Sequence, residues 1–392
     1  MSVEVHSLGC RLNLSESESL RAMLVGADNL VVVNSCAVTA EAVRQTRQTI
    51  RRARKARPDA RLLVTGCAAE VERAMIAAMP EVDGLIANTA KLDPRAWNVA
   101  EAVPHVADLR PHTRAFVQVQ NGCDHACTFC VIPQGRGPSR SRSVPEVLDE
   151  IARYLGAGIS EVVLTGVDLT SWGSDLPAAP ALGALCEAIL ARFPALPRLR
   201  LSSIDGAEVD EALFGLLAEE SRMMPHVHLS LQHGADLILK RMKRRHSRAD
   251  AIGLVERLRA RRADVAVGAD VIAGFPTEDH AQHRDNLSII AELGVVHGHV
   301  FPYSARPGTP AARMPQVEPA SIKARAAELR AAIAAERTRW LHAQVGTPLS
   351  VLAERGGTGH AENFAPVRLP EGAQPGTLLR VVPSRIIEGM LE

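Results

Sequence analysis

Aromatic side chains are scarce in this chain: three Trp, two Tyr and seven Phe make up 3% of 392 residues. So few rings exclude a surface built on extensive stacking of nucleobases. No apolar run reaches the roughly 20 residues of a membrane-spanning helix, so no membrane association is expected. The opening MSVEVHSLGC lacks a basic stretch followed by an apolar one. No secretory signal is therefore expected, and the expected location is cytoplasmic. A formal net charge of +1 carries no strong electrostatic message for the molecule as a whole. No internal repeat occurs, and no low-complexity segment beyond one basic helix. Cysteines in such a chain should stay reduced, which suits metal binding better than disulfides.

The length exceeds one comfortable core and predicts two or three domains. In residues 1–107, short apolar runs at 3–7, 30–33 and 61–65 each precede a helix-like stretch. That alternation predicts a parallel sheet with covering helices. A linker is expected at 106–113, near Pro104, Asp108 and Pro111. The alternation then restarts and predicts strands at 116–120, 161–164, 198–201, 227–231, 265–272 and 295–303. Ser143 with Glu146 reads as a capping box opening a helix between the first two. Six strand–helix units predict a partial or complete barrel, with a doubly wound sheet as the alternative. A long Ala/Arg-rich helix is expected at 321–340. Residues 344–392 alternate β-like runs with Gly and Pro and predict a small antiparallel barrel.

The segment QNGCDHACTFC places Cys123, Cys127 and Cys130 at CxxxCxxC spacing in one loop. Thiols so close can face one metal centre, whereas disulfides would want even pairing and distant partners. A [4Fe–4S] cluster takes four thiolates, so three leave one iron open to a substrate or cofactor. Zinc is the rival. His125 would be its fourth ligand, although wrapping a tetrahedron within so short a loop is awkward. A cysteine also follows each of the first three predicted strands: Cys10, Cys36 and Cys67. In a parallel sheet the carboxyl ends share one edge, so these three should converge; the alternative is three unrelated buried thiols. Cys186, in LGALCEAIL, reads as an inert buried thiol.

At the carboxyl ends of the later strands stand Thr165, Gly166, Ser202, Ser203, Gln232, His233, Gly274, Tyr303 and Ser304. In barrels that rim carries the chemistry, and glycine there lets backbone approach a ligand closely. His226, His228 and His233 read as structural. Two basic runs, at 44–61 and 240–248, are either solvated helix faces or a footprint for phosphates.

The cysteine-rich loop, with Phe129 just before its last cysteine, resembles the radical S-adenosylmethionine signature. SLGCRLN (7–13), VVVNSCAVT (31–39) and VTGCAAE (64–70) resemble the three N-terminal blocks of the methylthiotransferase family. The segments QNGCDHACTFCVIPQGRGPSRSR (120–142), LTGVDL (164–169), LSSID (201–205), HVHLSLQHG (226–234), DVIAGFPTE (270–278) and FPYSARPGT (301–309) resemble its central domain. AENFAPV (361–367) resembles part of a TRAM domain, a small RNA-binding barrel. Ala37, Val38 and Thr39 are similar to the subfamily acting on threonylcarbamoyladenosine at tRNA position 37. The chain departs from the family in the short interval between Cys10 and Cys36, in Ser15 and Glu16 where a more aromatic stretch is common, and in Asp168 where Asn is frequent.

The resemblance implies an α/β architecture of three domains: 1–107 around an auxiliary cluster, a radical (β/α)6 partial barrel at 108–343, and a TRAM-like domain at 344–392. It implies two [4Fe–4S] clusters, one on Cys123, Cys127 and Cys130 and one on Cys10, Cys36 and Cys67. S-adenosylmethionine would meet Phe129, Thr165, Gly166, Ser203, Gln232, Ile272 and Gly274. One molecule of it would methylate a sulfur on the auxiliary cluster. A second would yield the radical that removes the adenine C2 hydrogen before the methylthio group is transferred. No catalytic side chain beyond the cluster ligands is implied. Arg136, Arg140 and Arg142 would touch the cofactor carboxylate or RNA phosphate, or be solvated. The partners implied are the anticodon loop of tRNA, a reductant as electron donor, and a sulfur donor of unknown kind. Isopentenyladenosine in tRNA and a ribosomal-protein aspartate are the alternative substrates. An iron–sulfur or zinc RNA-binding protein is the non-enzymatic one.

Overall fold

In the computed structural model, residues 3–99 and 113–392 are described. Pro104, Asp108 and Pro111, and with them nearly all of the expected linker, lie outside the described residues. The described chain forms two compact units. One gathers 3–99, 121–140 and 304–313; the other gathers 113–120, 141–303 and 314–392.

The first unit is built on β1 (Glu4–Ser7), β2 (Leu30–Ser35), β3 (Arg61–Gly66) and β4 (Gly84–Leu85), parallel and ordered β1-β2-β3-β4. Helices α1 (Arg11–Met23), α2 (Ala40–Ala56), α3 (Cys67–Val71) and α4 (Arg73–Ala77) connect the strands. Strand β2, LVVVNS, is buried throughout, as expected where helices cover both faces of a parallel sheet. Val31 and Val33 pack with Ile50, Val64 and Ile76 on one face. Val32 packs with Leu20, Leu24, Leu63 and Trp97 on the other. Thr39 caps α2, its hydroxyl accepting from the Ala42 amide at 3.1 Å. The short α5 (Ile132–Arg136) follows the cysteine-rich loop and belongs to this unit.

The second unit begins with β5 (Ala115–Gln118). Two-residue strands β6 (Gln120–Asn121) and β7 (Arg140–Ser141) flank the cysteine-rich loop in sequence. Then come β8 (Glu161–Thr165), β9 (Arg198–Leu201), β10 (Ser203–Ile204), β11 (His226–Gln232), β12 (Ala266–Ala273) and β13 (Val295–Pro302). Only Ser202 separates β9 from β10, so these strands fill six positions. Their pairs are parallel, β5-β8-β9 and β10-β11-β12-β13, in sequence order. A doubly wound sheet reverses its strand order partway along; this array does not. No ladder joins β13 to β5 among the described residues, so the barrel is partial. Helices α6 (Val144–Gly156), α7 (Leu182–Arg192), α8 (Glu211–Glu219), α9 (Asp236–Met242), α10 (Arg248–Arg261) and α11 (His280–Leu293) alternate with the strands. The Ser143–Glu146 capping box opens α6. The last helix, α12 (Pro319–Gln344), starts earlier than expected because proline is tolerated in a helix's first turn.

Six short strands end the chain: β14 (Leu349–Ala353), β15 (Thr358–Ala361), β16 (Pro366–Arg368), β17 (Leu378–Val381), β18 (Ile386–Ile387) and β19 (Met390–Leu391). They form one sheet, β17-β14-β15-β16-β19-β18. Its pairs are antiparallel except β16 with β19, which is parallel and departs from the purely antiparallel expectation. Their core of Leu349, Val351, Ala361, Val367 and Leu391 packs on Leu341 and Trp340 of α12.

Candidate functional site

In the first unit, Cys10 immediately precedes α1, Cys36 directly follows β2, and Cys67 follows β3 as the first residue of α3. The expected convergence at the carboxyl edge is therefore present. Cys36 and Cys67 are buried, Cys10 is exposed, and none is in a disulfide. Gly9 stands in the left-handed region at φ +92°, and a Cβ there would lie 2.7 Å from the Cys36 sulfur. Only glycine leaves that space open beside the thiol. Burial pushes the Cys36 thiol up to about 11; the Val38 amide, which donates to it, works against this, while neighbouring Cys67 and Cys10 add to it. A buried thiol held protonated beside two others suits a site that a cation will fill, because metal binding deprotonates its ligands. The donor set fits three corners of an iron–sulfur cube.

The loop 121–131 is irregular and fixed mainly by backbone. The Cys123 amide donates to the Gly137 carbonyl at 3.1 Å, and the Cys130 amide to the Cys127 carbonyl at 3.1 Å. Amides also donate to the sulfurs, His125 to Cys123 and Ile132 to Cys130, each at 3.4 Å. The Asp124 carboxylate accepts from the Ser139 amide at 3.1 Å and closes the loop's far side. At Gly122, φ +76°, a Cβ would sit 1.8 Å from the Pro138 carbonyl oxygen, so glycine is obligatory. Phe129 lies within this loop. The donor set of Cys123, Cys127 and Cys130, all half-buried, fits the same kind of three-point grip.

The reading of Arg136 as a contact for cofactor carboxylate or RNA phosphate is corrected: it is 3% exposed and turned inward. Its guanidinium donates to Glu16 Oε1 at 2.8 Å and Oε2 at 3.1 Å, to Asn121 Oδ1 at 2.8 Å and to Asn13 Oδ1 at 2.5 Å. Lys91 Nζ donates to the other side of Glu16 and, at 3.5 Å, to Asn34 Oδ1. Burial works to raise the Glu16 carboxyl, and Lys91 and Arg136 outweigh it, holding the group below its ordinary range. Asn88 donates to the Gly135 carbonyl at 2.5 Å, with its Nδ2 also 4.0 Å from Cys67 Sγ. In the sequence Asn13 is marked only as the last residue of SLGCRLN and Glu16 only as a departure, while Asn88 and Lys91 are not singled out.

In the second unit Thr165, Gln232, Gly274 and Tyr303 stand at or just past the carboxyl ends of β8, β11, β12 and β13. Thr165 closes β8 and Gly166 follows, with Gln120 Oε1 accepting from the next two amides, Val167 at 3.0 Å and Asp168 at 2.9 Å. Ser203 opens β10. Gln232 ends β11 at φ +67°, an uncommon backbone state for a residue with a side chain. Asn286 braces two strand ends, donating to the Ile272 carbonyl at 3.1 Å and accepting from the Gly234 amide at 3.0 Å. Glu278 accepts from the Gly274 amide at 2.7 Å and the Phe275 amide at 3.0 Å. At Gly274 the close neighbour is Ile322 of α12, 2.5 Å from where a Cβ would be. His228 and His299 share one carboxylate oxygen of Asp270, at 3.0 and 2.9 Å. Burial pushes Asp270 up, and those two hydrogen bonds outweigh it.

Much of the second basic run is structural. Arg244 and Arg245 each donate to Asp205 Oδ2 at 2.9 Å, and Arg248 to the Gly234 and Asp285 carbonyls at 2.9 and 2.8 Å. On α2, Arg54 is likewise tied, donating to the Glu81 and Ala60 carbonyls at 2.8 and 2.7 Å and to Asp83 at 2.6 Å. Cys186 is fully buried in the apolar core, and burial raises its thiol. No helix among the described residues is long and apolar enough to cross a membrane.

Residues 117–288 match the Radical SAM superfamily, and residues 2–87 match the Uncharacterized protein family UPF0004. A protein of Rickettsia prowazekii named threonylcarbamoyladenosine tRNA methylthiotransferase MtaB is 43% identical over 99% of this chain and 96% of its own. A Bacillus subtilis protein of the same name is 32% identical over 80% of this chain and 76% of its own. A tRNA-2-methylthio-N(6)-dimethylallyladenosine synthase of Cereibacter sphaeroides is also 32% identical, over 96% and 94%. Among solved structures, the radical S-adenosylmethionine methyltransferase TsrM of Kitasatospora setae superposes with a TM-score of 0.54 at 18% identity, covering 76% of this chain and 68% of that one. That last likeness is one of fold.

Proposed function

This chain belongs to the radical S-adenosylmethionine methylthiotransferase family, and we propose that it methylthiolates C2 of N6-threonylcarbamoyladenosine at position 37 of tRNA. One observation carries the reading: the same compact unit holds two separate cysteine trios, one in a CxxxCxxC loop and one gathered from three strand ends. A radical enzyme needs only the first; sulfur insertion gives the second a purpose. The two [4Fe–4S] clusters and S-adenosylmethionine, when bound, supply the radical and the methylthio group.

The protein's own part is to hold and orient. Cys123, Cys127 and Cys130 would grip one cluster and Cys10, Cys36 and Cys67 the other. Phe129, Thr165, Gly166, Ser203, Gln232, Ile272 and Gly274 are the proposed contacts to S-adenosylmethionine. Support for the substrate comes from the Rickettsia relative's name and from the residues after Cys36. Ala37 is buried in the core, the Val38 amide donates to the Cys36 sulfur, and Thr39 caps α2. We assign 1–107 to the auxiliary cluster, 108–343 to the radical core and 344–392 to a TRAM-like RNA-binding domain. An external reductant and a sulfur donor complete the system, and the site of action is the cytoplasm.

Mass spectrometry of tRNA nucleosides tests this. Cells lacking the protein should lose the methylthio form of threonylcarbamoyladenosine and regain it on complementation. Loss of a methylthiolated dimethylallyladenosine instead would reassign the substrate. Absence of 5′-deoxyadenosine after anaerobic reconstitution with S-adenosylmethionine and reductant would favour a binding protein.

With few rings to stack on, tRNA binding should lean on phosphate contacts and weaken with salt. The charges at Arg51, Arg52 and Lys55 are the ones to remove, leaving Arg54 for its structural role. If α2 meets the RNA, each lost phosphate contact should flatten the slope of log affinity against log salt by about one. An unchanged slope removes α2 from the footprint.

A further inference from the structure

We infer that Arg136, with Lys91 and Glu16, forms the built-in counter-charge of the cluster held by Cys10, Cys36 and Cys67, and sets that cluster's reduction potential. The inference rests on the two-cluster reading. Lys91, Glu16 and Arg136 are each no more than 3% exposed. Lys91 Nζ faces the acceptors Glu16 Oε2 and Asn34 Oδ1, the arrangement an ammonium requires. Burial lowers the Lys91 ammonium and Glu16 works against this; with Lys91 protonated, two cations against one carboxylate leave one positive charge uncompensated. A buried net charge is costly unless an opposite charge faces it.

The facing charge is the thiol trio. Asn13, which accepts from Arg136, donates to the carbonyl of Ser35, the residue before Cys36, at 3.0 Å, and Asn88, which donates to the Gly135 carbonyl, has its Nδ2 4.0 Å from Cys67 Sγ. A Cβ on Gly135, the residue before Arg136, would lie 3.3 Å from the Cys67 Cβ. Three thiolates on an oxidised cube of charge +2 give a centre of net charge −1, which the network matches with opposite sign. Nearby positive charge favours the reduced, more negative form, and charge and hydrogen bonding are among the levers on cluster potential. α5 also touches the second trio, because the Ile132 amide donates to the Cys130 sulfur. Arg136 is thus a positioning and tuning residue, distinct from the ligands.

The test is potentiometric titration, followed by electron paramagnetic resonance, of anaerobically reconstituted full-length protein. Its radical-type trio is replaced by alanine so that one cluster remains. Arg136→Gln removes a positive charge and should shift the midpoint to lower potential; Arg136→Lys should restore most of it. Glu16→Gln removes a negative charge and should shift the midpoint upward. Opposite signs are the signature, since loosening of the fold would not move two neighbours in opposite directions. A cluster that forms with an unmoved midpoint, or with both midpoints moving one way, overturns the inference alone. A protein with Cys10, Cys36 and Cys67 intact that takes up no iron overturns the two-cluster reading with it.

Discussion

Alanine at Cys10, Cys36 and Cys67 together is expected to abolish methylthio transfer while leaving S-adenosylmethionine cleavage in place. Alanine at Cys123, Cys127 and Cys130 is expected to abolish both. The asymmetry follows from how each trio is built. The loop trio is held by its own backbone: the Cys123 and Cys130 amides bond within 121–137, Asp124 ties back to Ser139, and Gly122 makes the turn. None of those bonds involves Cys10, Cys36 or Cys67. The strand-end trio is likewise set by β2, β3 and the start of α1, which stand without the loop sulfurs. Truncating Cys36 and Cys67 removes one buried sulfur each, on the order of 1 kcal/mol apiece, and Cys10 is exposed. The fold should therefore survive, and lost chemistry can be assigned to lost iron. Anaerobically reconstituted wild type should carry about eight irons and each triple variant about four. Iron analysis and the yield of 5′-deoxyadenosine under dithionite read the two halves separately. If either triple variant lost all its iron, the trios would share one centre, and the proposed division of labour would fall.

The architecture was legible because its signals are local. Apolar runs followed by helical spacing marked β1, β2, β3 and β8 to within two residues, and Ser143 with Glu146 announced α6. Cysteines at three strand ends announced a shared edge, because parallel topology alone brings them there. What stayed hidden depends on pairs far apart in the chain. Arg136 meets Glu16 across 120 positions, and Lys91 meets it across 75; no periodicity encodes that. The basic runs misled because a guanidinium reads as solvated charge until its partner carbonyls are seen, as with Arg54 and Arg248. Strands β15, β18 and β19 escaped because two to four residues among glycines show no alternation. Asp270 was hidden for a different reason. A lone carboxylate in an apolar strand gains meaning only when β11 and β13 bring His228 and His299 to it.

Replacing Glu161 with Gln should cost about 3–5 kcal/mol of stability, the range for removing one partner of a buried ion pair. Glu161 opens β8 with no exposed surface. Three guanidiniums converge on it: Arg114 at 2.6 Å, Arg200 at 2.9 Å and Arg198 at 3.3 Å. The same arginines reach into the C-terminal sheet. Arg198 donates to the Ser350 carbonyl at 2.5 Å, Arg200 to the Glu362 carbonyl at 3.1 Å, and Arg200 lies 5.0 Å from the centre of the Phe364 ring. Glutamine would leave the buried Arg198 and Arg200 and the partly exposed Arg114 facing a neutral amide, and the seat of that sheet on β8 and β9 should loosen first. Burial pushes the Glu161 carboxyl up, and Arg200 and Arg114 outweigh it, holding it at about 2 against an ordinary 4.5. The unfolded chain therefore binds the extra proton between those values. The carboxylate's contribution is complete above about pH 4.5 and is lost as pH falls towards 2. Urea denaturation at pH 7 should show the loss in E161Q. Between pH 5 and 3 the wild type should lose stability while E161Q loses less, so the two curves converge. Limited proteolysis at pH 7 should cut E161Q first within 349–391. Parallel pH curves for the two proteins would mean that Glu161 does not carry the charge that joins the barrel strands to the C-terminal sheet.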